Sequence, residues 1–283
     1  MNFKVRRNSA AAQKPKVLAL LPQSAIAQLN SALGDCLGEI RCLIDDELIE
    51  STDNLDALFV DPGILECTTS GASKLRKAEA VPCVGFVTLD ARNVHSVLNF
   101  SNPGLTTCFV YPLERNESER LRHFVETLHA RKLWTRFLAM LEPSVGRLPA
   151  SLLAAILNMF ERPSRYYCAS DLALQAHVDR RSLYRNFDAV HVGSPRKLLV
   201  VARIIHAYAY LRQQALTVHQ VAAKVGYERV ETLVEHCEEI LGCVPSHLRA
   251  DVAEDEVLKH LLEWYSKPSM SSKELKLSSN ILS

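Results

Sequence analysis

The spacing of apolar residues changes once along this 283-residue chain, and the change divides it. From 17 to about 130, "KVLALLP", "DALFVDP", "VPCVGFVTL" and "TTCFVYP" are apolar runs too continuous for a strand with one wet face, so they predict strands buried on both sides. Around them, "SAIAQLNSALGD" and "RNESERLRHFVETLHA" repeat apolar residues at helical spacing. That rhythm predicts an α/β unit, a parallel sheet covered by helices. The stretch 131–148, "RKLWTRFLAMLEPSVGRL", continues as helix and meets Pro143 and Gly146, which predict a linker helix and hinge at the domain boundary. From 149 to 250 only helical spacing remains, punctuated by "RPSR", "GSP" and "GCVP", so this half is expected to be all-α. Residues 251–283 are expected to hold a short helix and a disordered tail, because "KPSMSSKELKLSSNILS" is serine-rich and has little to bury.

The helical half repeats itself. Leu172-Ala173 followed by Val178 has the spacing of Val221-Ala222 followed by Tyr227, and Leu183, Phe187 and Pro195 recur fifty residues on as Leu233, Cys237 and Pro245. Each copy reads as helix, tight turn, helix: the first pair packs the first helix, Val178 or Tyr227 plugs the turn, and an i, i+4 pair turns the second helix inward. Asp179 is placed to cap the second helix of the first copy, with Val178 and Leu183 as a hydrophobic staple.

The residues "DLALQAHVDRRSLYRNF…GSPRKLLVVARIIHAYAYLR…TVHQVAAKVGYERVETL…GCVPSHLR" resemble the DNA-binding domain of the AraC/XylS family over about 149–250. The likeness includes Ser194-Pro195 at the entry to a linker helix with Arg203 and Ala207, Gly226-Tyr227 in the second turn, and Pro245-Ser246 with Arg249 at the close. It implies two helix-turn-helix units on one linker helix, each able to lay a recognition helix in a major groove of double-stranded DNA.

Charge separates the two copies. With Leu183 and Phe187 inward, Arg180, Arg181, Tyr184 and Arg185 fall on the outer face or first turn, where guanidinium groups can take phosphates or a guanine edge; Ser182 beside them and Arg229 in the second copy complete the candidate DNA contacts. From 161 to 212 nine basic residues face four acidic ones, net +5; from 213 to 249 three face five, net −2. Arg181 becomes Glu231 and Arg185 becomes Glu235, so "ETLVEHCEE" reads as a solvated or partner-facing surface that DNA would repel.

The whole chain carries a formal net charge of +1, so any basic surface is local. Eight cysteines without a CxxC pair point to reduced thiols in a cytoplasmic protein. Residues 1–15 are expected to be a basic disordered arm with Lys4, Arg6, Arg7 and Lys14, and the apolar run after it is too short for a signal sequence or a membrane span. His236, Cys237, Cys243 and His247 are possible zinc ligands, but their spacing fits no common site and the repeat needs Cys237 in the core; no metal and no cofactor is expected.

In the first half, Asp61 ends one strand run, Thr88 the next and Tyr111-Pro112 the last, at the edge where parallel sheets expose functional side chains. Order and spacing over 16–130 resemble a response-regulator receiver domain with a flavodoxin-like sheet; the likeness implies Asp61 as phosphoacceptor, Thr88 as switch hydroxyl and Pro112 as the proline after the last strand. Two positions depart from it. Leu21-Pro22-Gln23 stand where an acidic pair would bind Mg²⁺, and Tyr111 stands where a lysine would hold the phosphoryl group. Asp61 is therefore expected to be a strand-terminal residue, with this domain serving dimerisation or partner binding and the helical stretch 116–141 carrying its state onward. The expected protein is a DNA-binding transcription regulator, not an enzyme, forming a homodimer and meeting RNA polymerase or another regulator as protein partner. Two alternatives stand beside it: an interaction module with degenerate DNA binding, and a phospho-accepting regulator at Asp61.

Overall fold

The computed structural model describes residues 14–34, 39–42, 55–61, 83–87, 105–213, 216–249 and 252–267. Thr88, most of the basic arm and the segment 268–283 lie outside them. The chain divides into two compact units, Gln13–His129 and the part from Ala130 onward.

The first unit is built on β1 (Lys16–Leu20), β2 (Glu39–Cys42), β3 (Ala57–Val60), β4 (Cys83–Val87) and β5 (Leu105–Val110), with α1 (Gln23–Leu33) and α2 (Arg115–Glu126). All strand pairs are parallel and the order is β2-β1-β3-β4-β5, the flavodoxin-like arrangement. β3 and β4 are buried at every position, as continuous apolar runs between helix layers must be. Phe59, Phe86, Phe109 and Phe124 form a chain of ring contacts from the sheet to α2. α1 and α2 are tied where Arg122 donates to the Ala32 carbonyl at 2.9 Å. The four expected strands are present. β2 was not expected, because "EIRC" is four residues long and leaves no run to recognise.

The helical unit contains most of α3 (Leu128–Val145), then α4 (Ala150–Glu161), α5 (Ala169–Gln175), α6 (Arg180–Ala189), α7 (Pro195–Gln213), α8 (Val218–Lys224), α9 (Val230–Leu241) and α10 (Glu254–Ser266), with short 3₁₀ turns at Pro163–Arg165 and Pro245–Arg249. Two features differ from the sequence pattern. The helical register breaks at Thr127, whose amide and hydroxyl both donate to the His123 and Phe124 carbonyls, and α3 runs through Pro143 to Val145. The residues 131–148, expected as linker and hinge, supply Leu133, Trp134, Phe137, Leu138, Val145 and Leu148 to the helical core. Pro143 interrupts only the last turn of α3, where it removes the bond its amide would give the Ala139 carbonyl.

α7 is buried almost all round and forms the spine of this core. Its polar residues find partners inside. Arg203 donates to the Tyr166 carbonyl at 2.7 Å and lies over the Tyr227 ring; the His206 ring nitrogen sits 2.7 Å from the Phe160 carbonyl; Tyr208 donates to the Val252 carbonyl at 2.6 Å and accepts from Arg212. α10, the expected short helix, buries Val257, Leu258, Leu261 and Tyr265.

Candidate nucleic-acid interface

Each copy of the repeat is a helix, a left-handed turn and a second helix. In the first, Asp171 accepts from the Tyr167 and Cys168 amides and so closes the N-terminus of α5. In the second, Thr217 and Gln220 form a capping box on α8. α5 ends with the Val178 amide bonded back to Ala173 and His177 at φ 56°; α8 ends with the Tyr227 amide bonded to Ala222 and Gly226 at φ 88°. These are equivalent left-handed C-caps forty-nine residues apart, each turning the chain into its second helix. A side chain at Gly226 would meet the Ser164 backbone, 2.7 Å from where its Cβ would lie, so the second turn admits only glycine. One extra residue then separates Tyr227 from α9, which restores the fifty-residue register.

α6 and α9 match position by position. Residues 181–190 and 231–240 share one order of exposed, half-buried and buried sites, with Leu183 and Phe187 answered by Leu233 and Cys237, all fully buried. Arg181 and Arg185 are exposed in α6; Glu231 and Glu235 occupy the same outward places in α9.

Local bonding sets the arginine face of α6. Asp179 caps the helix, accepting from the Ser182 amide at 2.9 Å and its hydroxyl at 2.7 Å. Those bonds hold the Asp179 carboxyl below the usual range. Arg185 donates to Ser182 Oγ at 3.2 Å, and the Arg180 guanidinium lies 5.9 Å from the centre of the Tyr184 ring. Arg180, Arg181 and Arg185 are exposed, while Ser182 and Tyr184 are half-buried. Ser182 is thus engaged with the cap, and its hydroxyl steadies Arg185.

α9 is held differently. Its N-cap, Arg229, makes no capping bond; its side chain lies 3.5 Å from Glu231, with both groups exposed. The helix is anchored from within: the Tyr227 hydroxyl and His236 Nδ1 are 2.8 Å apart, and Arg203 covers the Tyr227 ring. Burial lowers the His236 pKa from 6.5; Glu239 and Glu235 oppose this, while Arg203 and Arg196 add to it. Glu239 accepts a hydrogen bond from Trp264 of α10 at 2.8 Å. Lys197 lies against the same indole ring and donates to the Trp264 and Lys267 carbonyls, capping the end of α10. Sequence reading missed this tie, since its bonded partners are 25 to 70 residues apart and no periodicity links them.

The other expected candidates are placed as follows. His236 bonds Tyr227, Cys237 is fully buried with its thiol pushed up to about 12 by burial, and Cys243 is also buried. Asp61 is buried at the end of β3, where it accepts from the Tyr111 hydroxyl at 3.3 Å. Leu21 is buried apolar, Pro22 gives its carbonyl to the amides of Ala25 and Ile26, and Gln23 begins α1. Among the described residues no helix is long and apolar enough to cross a membrane.

A family model described as a helix-turn-helix domain matches residues 172–251, from α5 to the second 3₁₀ turn. Comparison with the curated proteins gives no match. Among solved structures, full-length FixJ from B. japonicum aligns at 13% identity over 75% of this chain and 98% of that one, with a TM-score of 0.33. A low-resolution structure of the response regulator StyR aligns at 12% identity over 80% of this chain and 100% of that one, with a TM-score of 0.27. Neither alignment bears weight at such scores.

Proposed function

We propose, from the AraC-type helix-turn-helix domain that residues 172–251 form, that this chain is a sequence-specific DNA-binding transcription regulator that grips DNA mainly through α6. The observation that carries the reading is the matched burial of α6 and α9 with arginines outward on one and glutamates outward on the other. Arg180, Arg181 and Arg185 supply charge where a phosphate backbone passes a recognition helix, and Tyr184 beside Arg180 adds a flat surface to the same face. α9 keeps the fold of a recognition helix and lacks its electrostatic attraction. The first unit serves as a dimerisation module that works without phosphorylation at Asp61. A homodimer then presents two copies of α6 to a two-fold site, because one helix in one groove gives few phosphate contacts.

A salt-titrated binding assay tests this. Arg181→Ala or Arg185→Ala is expected to weaken binding by about 1 to 3 kcal/mol if the side chain reads a base, or to lower the salt slope by about one if it holds a phosphate. Glu235→Ala is expected to cost nothing and to strengthen binding at low salt. A large loss from Glu235→Ala confined to the native site would show instead that α9 accepts a hydrogen bond from a cytosine amino group.

A further inference from the structure

A cavity of about 740 Å³ lies within the helical unit, between the last turns of α3, the second half of α6, the turn that joins α6 to α7, and the end of α10. That volume is in the range of small-molecule sites. Its walls are held by bonds of their own. The His191 and Val192 amides close the turn on the Asp188 and Phe187 carbonyls, with His191 at φ 54°. Ser194 Oγ accepts from the Lys197 amide at 3.2 Å, and the Lys197 ammonium group donates to the Trp264 and Lys267 carbonyls, which fixes the end of α10.

Leu141, Phe187 and Val192 give the cavity apolar surface, while its polar side chains are not engaged elsewhere. Asp188 and Lys267 both line it and are both exposed, yet neither side chain makes an ion pair or hydrogen bond among the described residues. Tyr265 is 1% exposed, and its hydroxyl is buried with no hydrogen-bond partner. The ring carbon that bears this hydroxyl lies 2.9 Å from where a Cβ on Gly193 would sit, so the polar end of the ring is at the stretch of wall that Gly193 forms. Burial pushes the Tyr265 pKa up, and the phenol therefore keeps its proton as a donor. Folded proteins seldom keep a buried donor without an acceptor, because the lost hydration is not replaced.

We propose that this cavity binds a small zwitterion with an apolar body, of the class of the hydrophobic amino acids. Its ammonium group lies at Asp188, its carboxylate takes the Tyr265 hydroxyl and the Lys267 ammonium group, and its body packs on Phe187 and Val192. Opposite charges that line one cavity without pairing are satisfied together by a ligand that carries both signs. A simple carboxylate would be repelled by Asp188, and a simple amine by Lys267. The ligand also touches Tyr184, whose ring centre is 5.9 Å from the Arg180 guanidinium. Occupancy thus repositions the first arginine of α6 and changes DNA affinity, a consequence that rests on the reading of α6 as the helix that contacts DNA.

The test is a saturation-transfer NMR titration of the full-length protein, without DNA, against L-phenylalanine and L-leucine in turn. Both are expected to bind saturably. 3-Phenylpropionate, which lacks the ammonium group, and phenethylamine, which lacks the carboxylate, should bind at least about tenfold more weakly. Asp188→Asn should lower the affinity for L-phenylalanine to that for 3-phenylpropionate, and should leave 3-phenylpropionate no weaker. Tyr265→Phe should weaken both carboxylates without lowering the melting temperature, since its hydroxyl is unbonded in the free protein; a merely structural tyrosine would show the reverse. No saturable binding of either amino acid overturns the proposal, as does L-phenylalanine binding that Asp188→Asn leaves unchanged. DNA affinity is measured separately, with and without L-phenylalanine. It should shift at least about fivefold in the native chain and not in Asp188→Asn. An unchanged DNA affinity in a chain that binds L-phenylalanine overturns the coupling through Tyr184, whereas a chain that binds L-phenylalanine and no DNA overturns the reading of α6 and leaves the site standing.

Discussion

Gly226 and His177 occupy the same left-handed position in their two turns and meet different surroundings. At Gly226, φ is 88° and the Ser164 backbone closes the space a side chain would need. Gly226→Ala therefore combines an unfavourable backbone conformation with a clash, and is expected to cost at least about 2 kcal/mol in urea denaturation. His177 holds φ 56° with its side chain exposed, so His177→Gly relieves backbone strain while freeing the unfolded chain. Those effects oppose, and a net change within about 1 kcal/mol is expected. His236 adds a pH response. Its folded pKa is depressed chiefly by burial, so the unfolded chain takes up the proton first. The stability from neutral His236 is present above 6.5 and lost as pH falls through the lower folded value. Urea midpoints compared between pH 7 and pH 5 should fall more for the native chain than for His236→Gln, which keeps an acceptor for Tyr227 and does not titrate; equal slopes would remove His236 from the account.

At the scale of elements, α9 is fixed at its middle and its last turns by contacts that leave its outer face free to carry any charge. Its middle is anchored by the bond between Tyr227 and His236 and its last turns by Glu239 and Trp264. Trp264→Phe keeps most of the apolar contact and removes the indole donor. About 1 kcal/mol of stability should be lost, read by thermal or urea unfolding, and Glu239→Gln should cost less because an amide oxygen still accepts. The inward faces of α5, α6, α8 and α9 were legible in the sequence because each repeats a short spacing, and the Asp179 cap because its chemistry is local. The outward arginines and glutamates followed from the same helical period. Other features had no local signature. β2 is too short to announce itself, and the break at Thr127 depends on a side chain folding back onto carbonyls within a stretch whose apolar period continues. Pro143 differs from expectation because a proline two residues from a helix end looks, in sequence, like a proline that ends it.

At the scale of the whole molecule, the contribution of the sheet unit turns on Asp61. A phosphoryl group on an aspartate needs a divalent cation held by oxygen ligands close by. The turn after β1 offers Leu21, buried and apolar, and Pro22, whose carbonyl already serves two amides of α1. From β5 comes a phenol in place of an ammonium group, and it donates to Asp61. Tyr111 thus makes Asp61 an internal acceptor joining the ends of β3 and β5, which stabilises the edge of the sheet where a receiver would place its chemistry. Purified protein is accordingly expected to take up neither phosphoryl groups from a small phosphodonor nor beryllofluoride in the presence of Mg²⁺, as followed by intact-mass measurement and fluorine resonance. Asp61→Asn preserves an acceptor for Tyr111, so its DNA affinity and salt slope should equal those of the native chain. Tyr111→Phe removes the donor and should lower stability by about 1 kcal/mol without changing DNA affinity measured on folded protein. Mg²⁺-dependent labelling that vanishes in Asp61→Asn would contradict this account and restore the sheet unit as a phosphorylation input.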